Sequence, residues 1–353
     1  MTQAQATAGN VTMQSALGQL MGGQHLSREV ARSVMELIMS GEATPVQIAG
    51  VVTALRMKGE TKDEITGFAE TMRAFGSHVS AKQEGLLDTC GTGGSGIHKF
   101  NISTASSIIA SAAGIRVAKH GNRAMSGKAG SADVLEALGV QITLTPEQAA
   151  ACLDRIGICF MFAQLYHPSL KHAAVPRREL GVRTIFNMLG PLTNPAGADR
   201  QLLGLYDASK TETIASVLGE LGTRQALVVS SNDGLDEISI SAPTRVSELR
   251  DGEVRTYEIA PEELGLRRYP IEEVLGGDPA TNAALIRAIF SGEQQGAYRA
   301  IVLANAGACI YVGGAANSLR EGAAIAAEMI DSGKAERQLH ALIQTTGELA
   351  HVS

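Results

Sequence analysis

Most of the residues whose types and spacing could do chemistry fall in one stretch, Asp88 to Gly130, reading DTCGTGGSGIHKFNISTASSIIASAAGIRVAKHGNRAMSGKAG. Gly91, Gly93, Gly94 and Gly96 crowd a single loop, and a backbone without side chains lets its N–H groups approach a ligand closely. The helix expected next would turn its positive dipole end toward the same ligand. Between Asp88 and Asp133 no acidic residue occurs, whereas Lys99, Arg116, Lys119, Arg123 and Lys128 bring five positive charges to a chain of formal net charge -6. The pattern asks for an anion, and phosphate is the natural guest of such a loop.

Gly91 to Gly96 also matches the G-x-G-x-x-G dinucleotide fingerprint, with a strand before it and a helix after. That fingerprint expects an acidic residue about 20 positions on, to hold the ribose hydroxyls. Here the second strand, Ile115 to Ala118, ends in Lys119 and His120, which favours a phosphorylated sugar over NAD. Glycines serving only tight turns would leave the basic cluster unexplained. Cys90 could be read as a nucleophile, but no His and Asp arrangement supports it, and a small buried residue under the loop fits better. Asp236 and Glu237 read on their own as a solvated turn before a strand at Ile238 to Ile240.

Taken together, DTCGTGG (Asp88 to Gly94), FNIST (Phe100 to Thr104), KHGNR (Lys119 to Arg123), GSADVLEALG (Gly130 to Gly139), HPSLKHAAVPRRELGVRTIFNMLGPLTNP (His167 to Pro195) and DGLDE (Asp233 to Glu237) resemble the anthranilate phosphoribosyltransferases. The motifs agree in order and span most of residues 20 to 345. The resemblance implies transfer of a 5-phosphoribosyl group from phosphoribosyl pyrophosphate to anthranilate in tryptophan biosynthesis, with Mg²⁺ as cofactor, in a cytoplasmic homodimer. Such a displacement needs positioning and charge neutralisation rather than a covalent nucleophile, so no catalytic side chain of that kind is expected.

Carried over by motif, the phosphoribosyl pyrophosphate contacts are Gly91, Gly94, Ser95, Lys99, Asn101, Ile102, Ser103, Thr104, Lys119, His120, Gly121, Asn122, Arg123, Ala124, Met125, Ser126, Gly127 and Ser131. Lys119 is the main counter-charge. Asp236 and Glu237, with Ser103, match the residues that hold Mg²⁺, whose preference is for hard oxygen ligands. Gly91, Asn122 and Arg177 match the anthranilate contacts; Arg177 suits a planar carboxylate through its two-pronged guanidinium, and Arg178 is the neighbouring alternative. His120 stands as a binding residue, since an aromatic amine needs little activation. The chain departs from the family's common pattern at two points, with Ser95 where an Asp is usual and Lys99 where Ser or Thr is usual. The change makes the site more cationic, with Lys99 expected over the diphosphate.

Two other readings share this fold. A pyrimidine nucleoside phosphorylase would carry a different phosphate-binding sequence in place of KHGNR and would lack the Arg177 segment. A nucleic-acid-binding relative fits poorly with the negative net charge, few aromatics and no basic stripe beyond the site.

The elements that must position these residues read as a small all-helical domain followed by a larger α/β domain. Residues 1 to 80 supply helices at Arg28 to Ser40, Pro45 to Met57 and Lys62 to Phe75, the last two opened by Thr44 with Gln47 and Thr61 with Glu64 as capping boxes. Residues 1 to 22 read as a frayed terminus, and a segment near 168 to 190 is expected to complete the domain. From residue 81 to 353, strands and helices alternate, which implies a mostly parallel, helix-covered sheet. Its β-rich runs are Gly139 to Leu144, Ile158 to Ala163, Gln201 to Tyr206 and Ala226 to Val229, and Pro279 to Val352 reads as nearly all helix. The longest apolar run, Ala300 to Ala316, is broken by Asn305 and by glycines, which suits a buried helix rather than a membrane span. No signal peptide pattern opens the chain. Cys90, Cys152, Cys159 and Cys309 lie far apart and read as reduced thiols.

Overall fold

The structure, a computed structural model, describes residues 11–81, 84–94, 96–124 and 128–351. The chain opens with helices α1 (Met13–Met21), α2 (Arg28–Met39), α3 (Pro45–Lys58) and α4 (Lys62–Ala74). Strand β1 (Leu86–Gly91) leads through α5 (Ile102–Ala112), β2 (Arg116–Gly121), α6 (Ser131–Ala137) and α7 (Pro146–Ile156) to β3 (Ile158–Phe162) and the short α8 (Ala163–Tyr166). Helices α9 (Lys171–Leu180) and α10 (Phe186–Leu189) precede β4 (Arg200–Gly204), α11 (Thr211–Glu220) and β5 (Gln225–Ser231). The chain then runs through β6 (Thr244–Arg250), β7 (Glu253–Ile259), α12 (Pro279–Phe290), α13 (Ala297–Val312), α14 (Leu319–Asp331) and α15 (Lys334–His351). It divides into two compact units, one of Met1–Gly76 with His167–Thr193 and one of Ser77–Tyr166 with Asn194–Ser353.

The first unit is all helical. Thr44 accepts from the Gln47 N–H at 3.3 Å while Gln47 accepts from the Thr44 N–H at 2.9 Å, so two otherwise orphaned donors are satisfied at the start of α3. Thr61 and Glu64 repeat the arrangement on α4. Glu64 is fully buried and also accepts from the Leu26 N–H and from Lys58, which ties three segments together. Val34, Met35 and Ile38 of α2 and Ile65, Phe68 and Met72 of α4 recur at helical spacing on buried faces. The two helices close together over Gly67, where a Cβ would lie 2.5 Å from the Arg28 carbonyl.

One expectation fails here. The stretch to residue 22 is not wholly frayed: α1 starts on a Thr12 and Ser15 capping box and buries Met13, Ala16 and Leu20. Gly18 and the interspersed Gln14, Ser15 and Gln19 hide that apolar stripe in the sequence.

The second unit is built on a seven-stranded sheet in the order β3-β2-β1-β4-β5-β6-β7. Neighbours from β3 to β5 are parallel, while β5, β6 and β7 pair antiparallel. Its parallel strands are buried along most of their length, as both faces are covered, and β3, Ile158 to Phe162, is a continuous apolar run buried throughout. Three sequence readings are corrected. Gly139 to Leu144 is extended but joins no strand: Val140, Ile142 and Leu144 alternate into the core, and the segment is held by Gln141 N–H to Thr346 and Tyr166 hydroxyl to the Leu144 carbonyl. Period-two burial arises there without a ladder. Ile238 to Ile240 is likewise no strand, because its N–H groups at Ile238 and Ser239 go to the side chains of Asn305 and Thr244. The hairpin β6–β7 was missed, although Asp251-Gly252 is a strong two-residue hairpin signal, and both residues have positive φ (53° and 80°).

Candidate active site

In an open parallel sheet, ligands bind beyond the carboxyl ends of the strands where the winding reverses. Here the order 3-2-1-4-5 places that switch between β1 and β4. The last pair in their register is Gly91 and Gly204. Asp236 is wedged against both: a Cβ on residue 91 would stand 2.6 Å from Asp236 Oδ2, and one on residue 204 would overlap the Asp236 carbonyl. Gly204 carried no motif in the sequence, and only this approach reveals its role.

Asp236 and Glu237 are buried, at 1% and 5% exposure, so the solvated-turn reading is excluded. Their loop is held from both ends. Asp233 accepts from the hydroxyls of Ser239, at 2.6 Å, and Ser241, and from the Leu235 N–H at 3.2 Å. These donors, with Ser231, more than offset burial and hold its carboxyl below the usual range. On the other side, fully buried Asn305 of α13 accepts from the Ile238 N–H and donates to the Ile238 carbonyl, both at 2.9 Å.

The loop so placed meets the glycine loop directly. The Gly93 N–H donates to Asp236 Oδ2 at 2.9 Å, with Gly93 and Gly94 at positive φ (67° and 80°). Lys99 Nζ donates to Asp236 Oδ1 at 2.7 Å, to the Asp236 carbonyl at 3.2 Å and to Glu237 Oε1 at 3.1 Å. Burial would lower the Lys99 pKa, but the two carboxylates outweigh it and raise it. The ammonium is therefore engaged by acids rather than standing free.

The other basic residues are also distributed differently from the sequence picture. The acid-free run from Asp88 to Asp133 is not acid-free in space: Arg116 pairs with Asp154 at 3.1 Å, and Arg123 pairs with Asp133 at 2.8 Å and with Glu136. Lys119 differs. It is 3% exposed, and its Nζ donates to the Thr89 carbonyl at 2.6 Å and lies 3.3 Å from the Ser103 hydroxyl, with no carboxylate in direct contact among the described residues. Ser103 lies in the first turn of α5, whose N-cap residue Asn101 makes no side-chain cap bond, so the helix presents an open positive end.

Asn101 instead braces the scaffold, donating to the Ala129 carbonyl at 3.2 Å and accepting from Asn282 at 3.0 Å. Ile102 and Thr104 are fully buried. Asp88, fully buried with its carboxyl pushed up by burial, accepts from the His120 N–H at 3.1 Å and fixes the end of β2, where His120 is itself buried.

The KHGNR loop is shaped by Asp133, another residue the sequence did not single out. Its carboxylate accepts from the Ala124 N–H at 3.0 Å and the Gly130 N–H at 2.8 Å, and it binds Arg123. Asn122 folds back to accept from the Arg123 N–H at 2.8 Å, and its carbonyl accepts from the Ser131 hydroxyl at 3.3 Å. Gly121 leaves the space that Ser131 occupies. Ser95, Met125, Ser126 and Gly127 lie outside the described residues.

Arg177 belongs to the first unit, on α9. It is half-buried, with its guanidinium 5.4 Å from the centroid of the Phe186 ring, and burial lowers its pKa; Arg178 is exposed.

Hard oxygen donors from two buried carboxylates suit a divalent cation, and the Lys99 ammonium on those oxygens shows that the site already accepts positive charge. Among the described residues no group of three or more His, Cys, Asp or Glu is gathered, so an ion here would draw its remaining ligands from hydroxyl, water or phosphate oxygens.

Two known domains match the chain. The helical bundle domain of the glycosyl transferase family matches residues 14–76, and the a/b domain of the same family matches 83–336. Anthranilate phosphoribosyltransferase of Brevibacillus brevis is 52% identical over 338 residues, covering 96% of this chain and 99% of its own; that of Moorella thermoacetica is 49% identical, covering 94% and 97%. The crystal structure of the Thermus thermophilus enzyme superposes with a TM-score of 0.89 at 42% identity, over 94% of this chain and 99% of that one. The Saccharomyces cerevisiae enzyme in complex with PRPP and Mg is alike in fold, with a TM-score of 0.87 at 24% identity over 96% and 99%. A glycine loop, a buried lysine and a buried acidic pair at the sheet's switch point, on a chain half identical to such enzymes over nearly its whole length, make this protein a member of the anthranilate phosphoribosyltransferase family.

Proposed function

We propose that this protein transfers the 5-phosphoribosyl group of phosphoribosyl pyrophosphate to the amine of anthranilate, releasing pyrophosphate, in tryptophan biosynthesis. The observation that carries the proposal is Lys119, a buried lysine whose Nζ is hydrogen-bonded, among the described residues, only to neutral oxygens, beside the N-terminus of α5. Burying a charge is costly unless it is paired; Asp88 and Glu237 act on Lys119 through space without a direct ion pair, and a ligand of opposite sign in contact with the ammonium would complete the pairing. A diphosphate supplies that charge.

In this reading, Lys119 and the positive end of α5 neutralise the departing pyrophosphate as the bond from the anomeric carbon to its oxygen breaks. Charge develops there in the transition state, so donors fixed in advance lower the barrier more than they tighten the ground state. The Asp133-shaped loop from Asn122 to Ala124 and the glycine loop around Gly91 and Gly94 orient the ribose and phosphates. Arg177 is assigned the carboxylate of anthranilate on its motif and its two-pronged geometry, and Asn122 and Gly91 are assigned contacts to the same substrate. The amine nitrogen adds to the anomeric carbon as the pyrophosphate leaves, and then gives its proton to the released pyrophosphate or to solvent. Asp236 and Glu237, with Ser103, are the residues that would hold Mg²⁺. When bound, that ion would supply charge neutralisation of the diphosphate.

The test follows anthranilate fluorescence with phosphoribosyl pyrophosphate and Mg²⁺. Loss of signal that requires all three is expected. Phosphate-dependent cleavage of a pyrimidine nucleoside in its place would overturn the assignment.

A cytosolic homodimer completes the proposal. No described helix is long and apolar enough to cross a membrane, and all four cysteines are free, three of them buried. Met21, Val46 and Met57 of the first unit, 77%, 81% and 84% exposed, support an apolar contact between copies. A mass of one chain by light scattering would remove the dimer.

A further inference from the structure

We infer that the Lys99 ammonium is a built-in counter-cation for Asp236 and Glu237, and that it and a divalent cation exclude one another at those oxygens. The inference rests on the reading that these two carboxylates hold the metal.

Two adjacent carboxylates with side chains 2% and 6% exposed would repel each other strongly without a neutralising charge. Lys99 provides it with all three of its donors: Asp236 Oδ1 at 2.7 Å, Glu237 Oε1 at 3.1 Å and the Asp236 carbonyl at 3.2 Å. The remaining Asp236 oxygen accepts from the Gly93 N–H. A divalent cation binds carboxylate oxygen at roughly 2.0–2.6 Å. An ion taking Oδ1 and Oε1 at that distance would need the space that the ammonium fills.

The lysine is delivered from a fixed platform. Its backbone forms a bridge with Leu275, flanked by the Phe100 N–H to the Val274 carbonyl and the Gly276 N–H to the His98 carbonyl at 2.7 Å. Gly276 has no room for a Cβ, which would sit 2.6 Å from the Phe100 nitrogen, and the Tyr298 hydroxyl pins the Leu275 carbonyl at 2.8 Å. What can move is the four-carbon stem, whose flexibility lets the ammonium swing away. Metal entry is therefore an exchange of cations, and the affinity of the ligand-free protein for metal is lowered by the lysine it must displace.

The test measures equilibrium binding of Mn²⁺ alone, by electron paramagnetic resonance, to the full chain without substrates. Lys99→Met keeps the stem and removes the charge. It should bind Mn²⁺ at least about tenfold more tightly than wild type, a factor equal to about 1.4 kcal/mol. The gain should vanish when Asp236→Asn and Glu237→Gln are added. Should Lys99→Met not fold, the wild-type protein still decides: Lys99 acetylation by acetic anhydride, read by mass spectrometry, should accelerate several-fold when Mn²⁺ saturates. Equal Mn²⁺ affinity with and without the lysine, or unchanged acetylation, overturns the inference and leaves the transferase reading standing. Mn²⁺ binding indifferent to Asp236→Asn and Glu237→Gln overturns both the inference and the metal assignment, and the fluorescence assay then reports on transfer independently.

Discussion

Gly204 on β4 faces the backbone carbonyl of Asp236 with no room for a Cβ between them, while its register partner Gly91 faces the Asp236 carboxylate. The two approaches differ in kind. A backbone carbonyl held by Lys99 and by the braced loop cannot turn aside, whereas a carboxylate can change rotamer. Gly204→Ala should therefore cost about 1–3 kcal/mol or more of stability, as overpacking does. Gly91→Ala should cost less stability but displace the carboxylate and weaken metal-dependent turnover. Urea melts of both variants beside steady-state rates check this; equal destabilisation by the two would refute it.

Asp236→Asn with Glu237→Gln should lower Mg²⁺-dependent turnover by at least about 100-fold, the scale of about 2.7 kcal/mol lost from charge stabilisation. The amides also leave the partly buried Lys99 without its counter-charge, so the melting temperature should fall as well. Circular dichroism and the Mg²⁺ dependence of the rate separate the two effects. A variant that keeps wild-type rate and metal dependence would remove these residues from the site.

Local signals carried much of the fold into the sequence. Thr44 with Gln47 and Thr61 with Glu64 mark helix starts because the capping groups lie three residues apart in the chain itself. The alternation of strands and helices likewise announces a parallel sheet, and the acid pair, buried lysine and glycine loop were named from motifs. What was hidden depends on partners distant in sequence. Val140, Ile142 and Leu144 alternate like a strand, and only the absence of a pairing edge shows otherwise. Gly204 needs Asp236 beside it to be meaningful, and the partners of Lys99 lie some 137 residues away. A count of charges along the chain cannot show that Arg123 is taken by Asp133 and Glu136.

Asp233 offers a pH test. Its carboxyl is held below the usual range: burial raises it, but hydroxyls of Ser239, Ser241 and Ser231 and the Leu235 N–H lower it by more. A depressed folded pKa means that the stabilisation is fully present above the unfolded value, near 3.9, and is lost as pH falls through the folded one. Asp233→Asn should thus cost on the order of 1–3 kcal/mol near pH 7, since hydrogen bonds to a charged group are lost, and the gap from wild type should shrink below about pH 4. Chemical denaturation across that range measures it. A difference that stays constant down to pH 3 would mean that the carboxylate's charge plays no part.

Arg177 is the residue whose assignment rests most on sequence, and it can be separated from its neighbour. Its guanidinium lies over Phe186 and is half-buried, so its orientation is restrained, while Arg178 is exposed and free to reorient. A carboxylate held by a charged, two-pronged donor loses about 1.5–3 kcal/mol when the donor goes. Arg177→Ala should therefore raise the KM for anthranilate by roughly 10- to 150-fold and leave that for phosphoribosyl pyrophosphate within about twofold. Arg177→Lys should recover only part of the loss, because an ammonium cannot reproduce the planar fork. Arg178→Ala should leave both constants near wild type. If the anthranilate effect follows Arg178 instead, or if both substrates suffer equally from Arg177→Ala, the carboxylate is bound elsewhere and the role of Arg177 is to pack against Phe186.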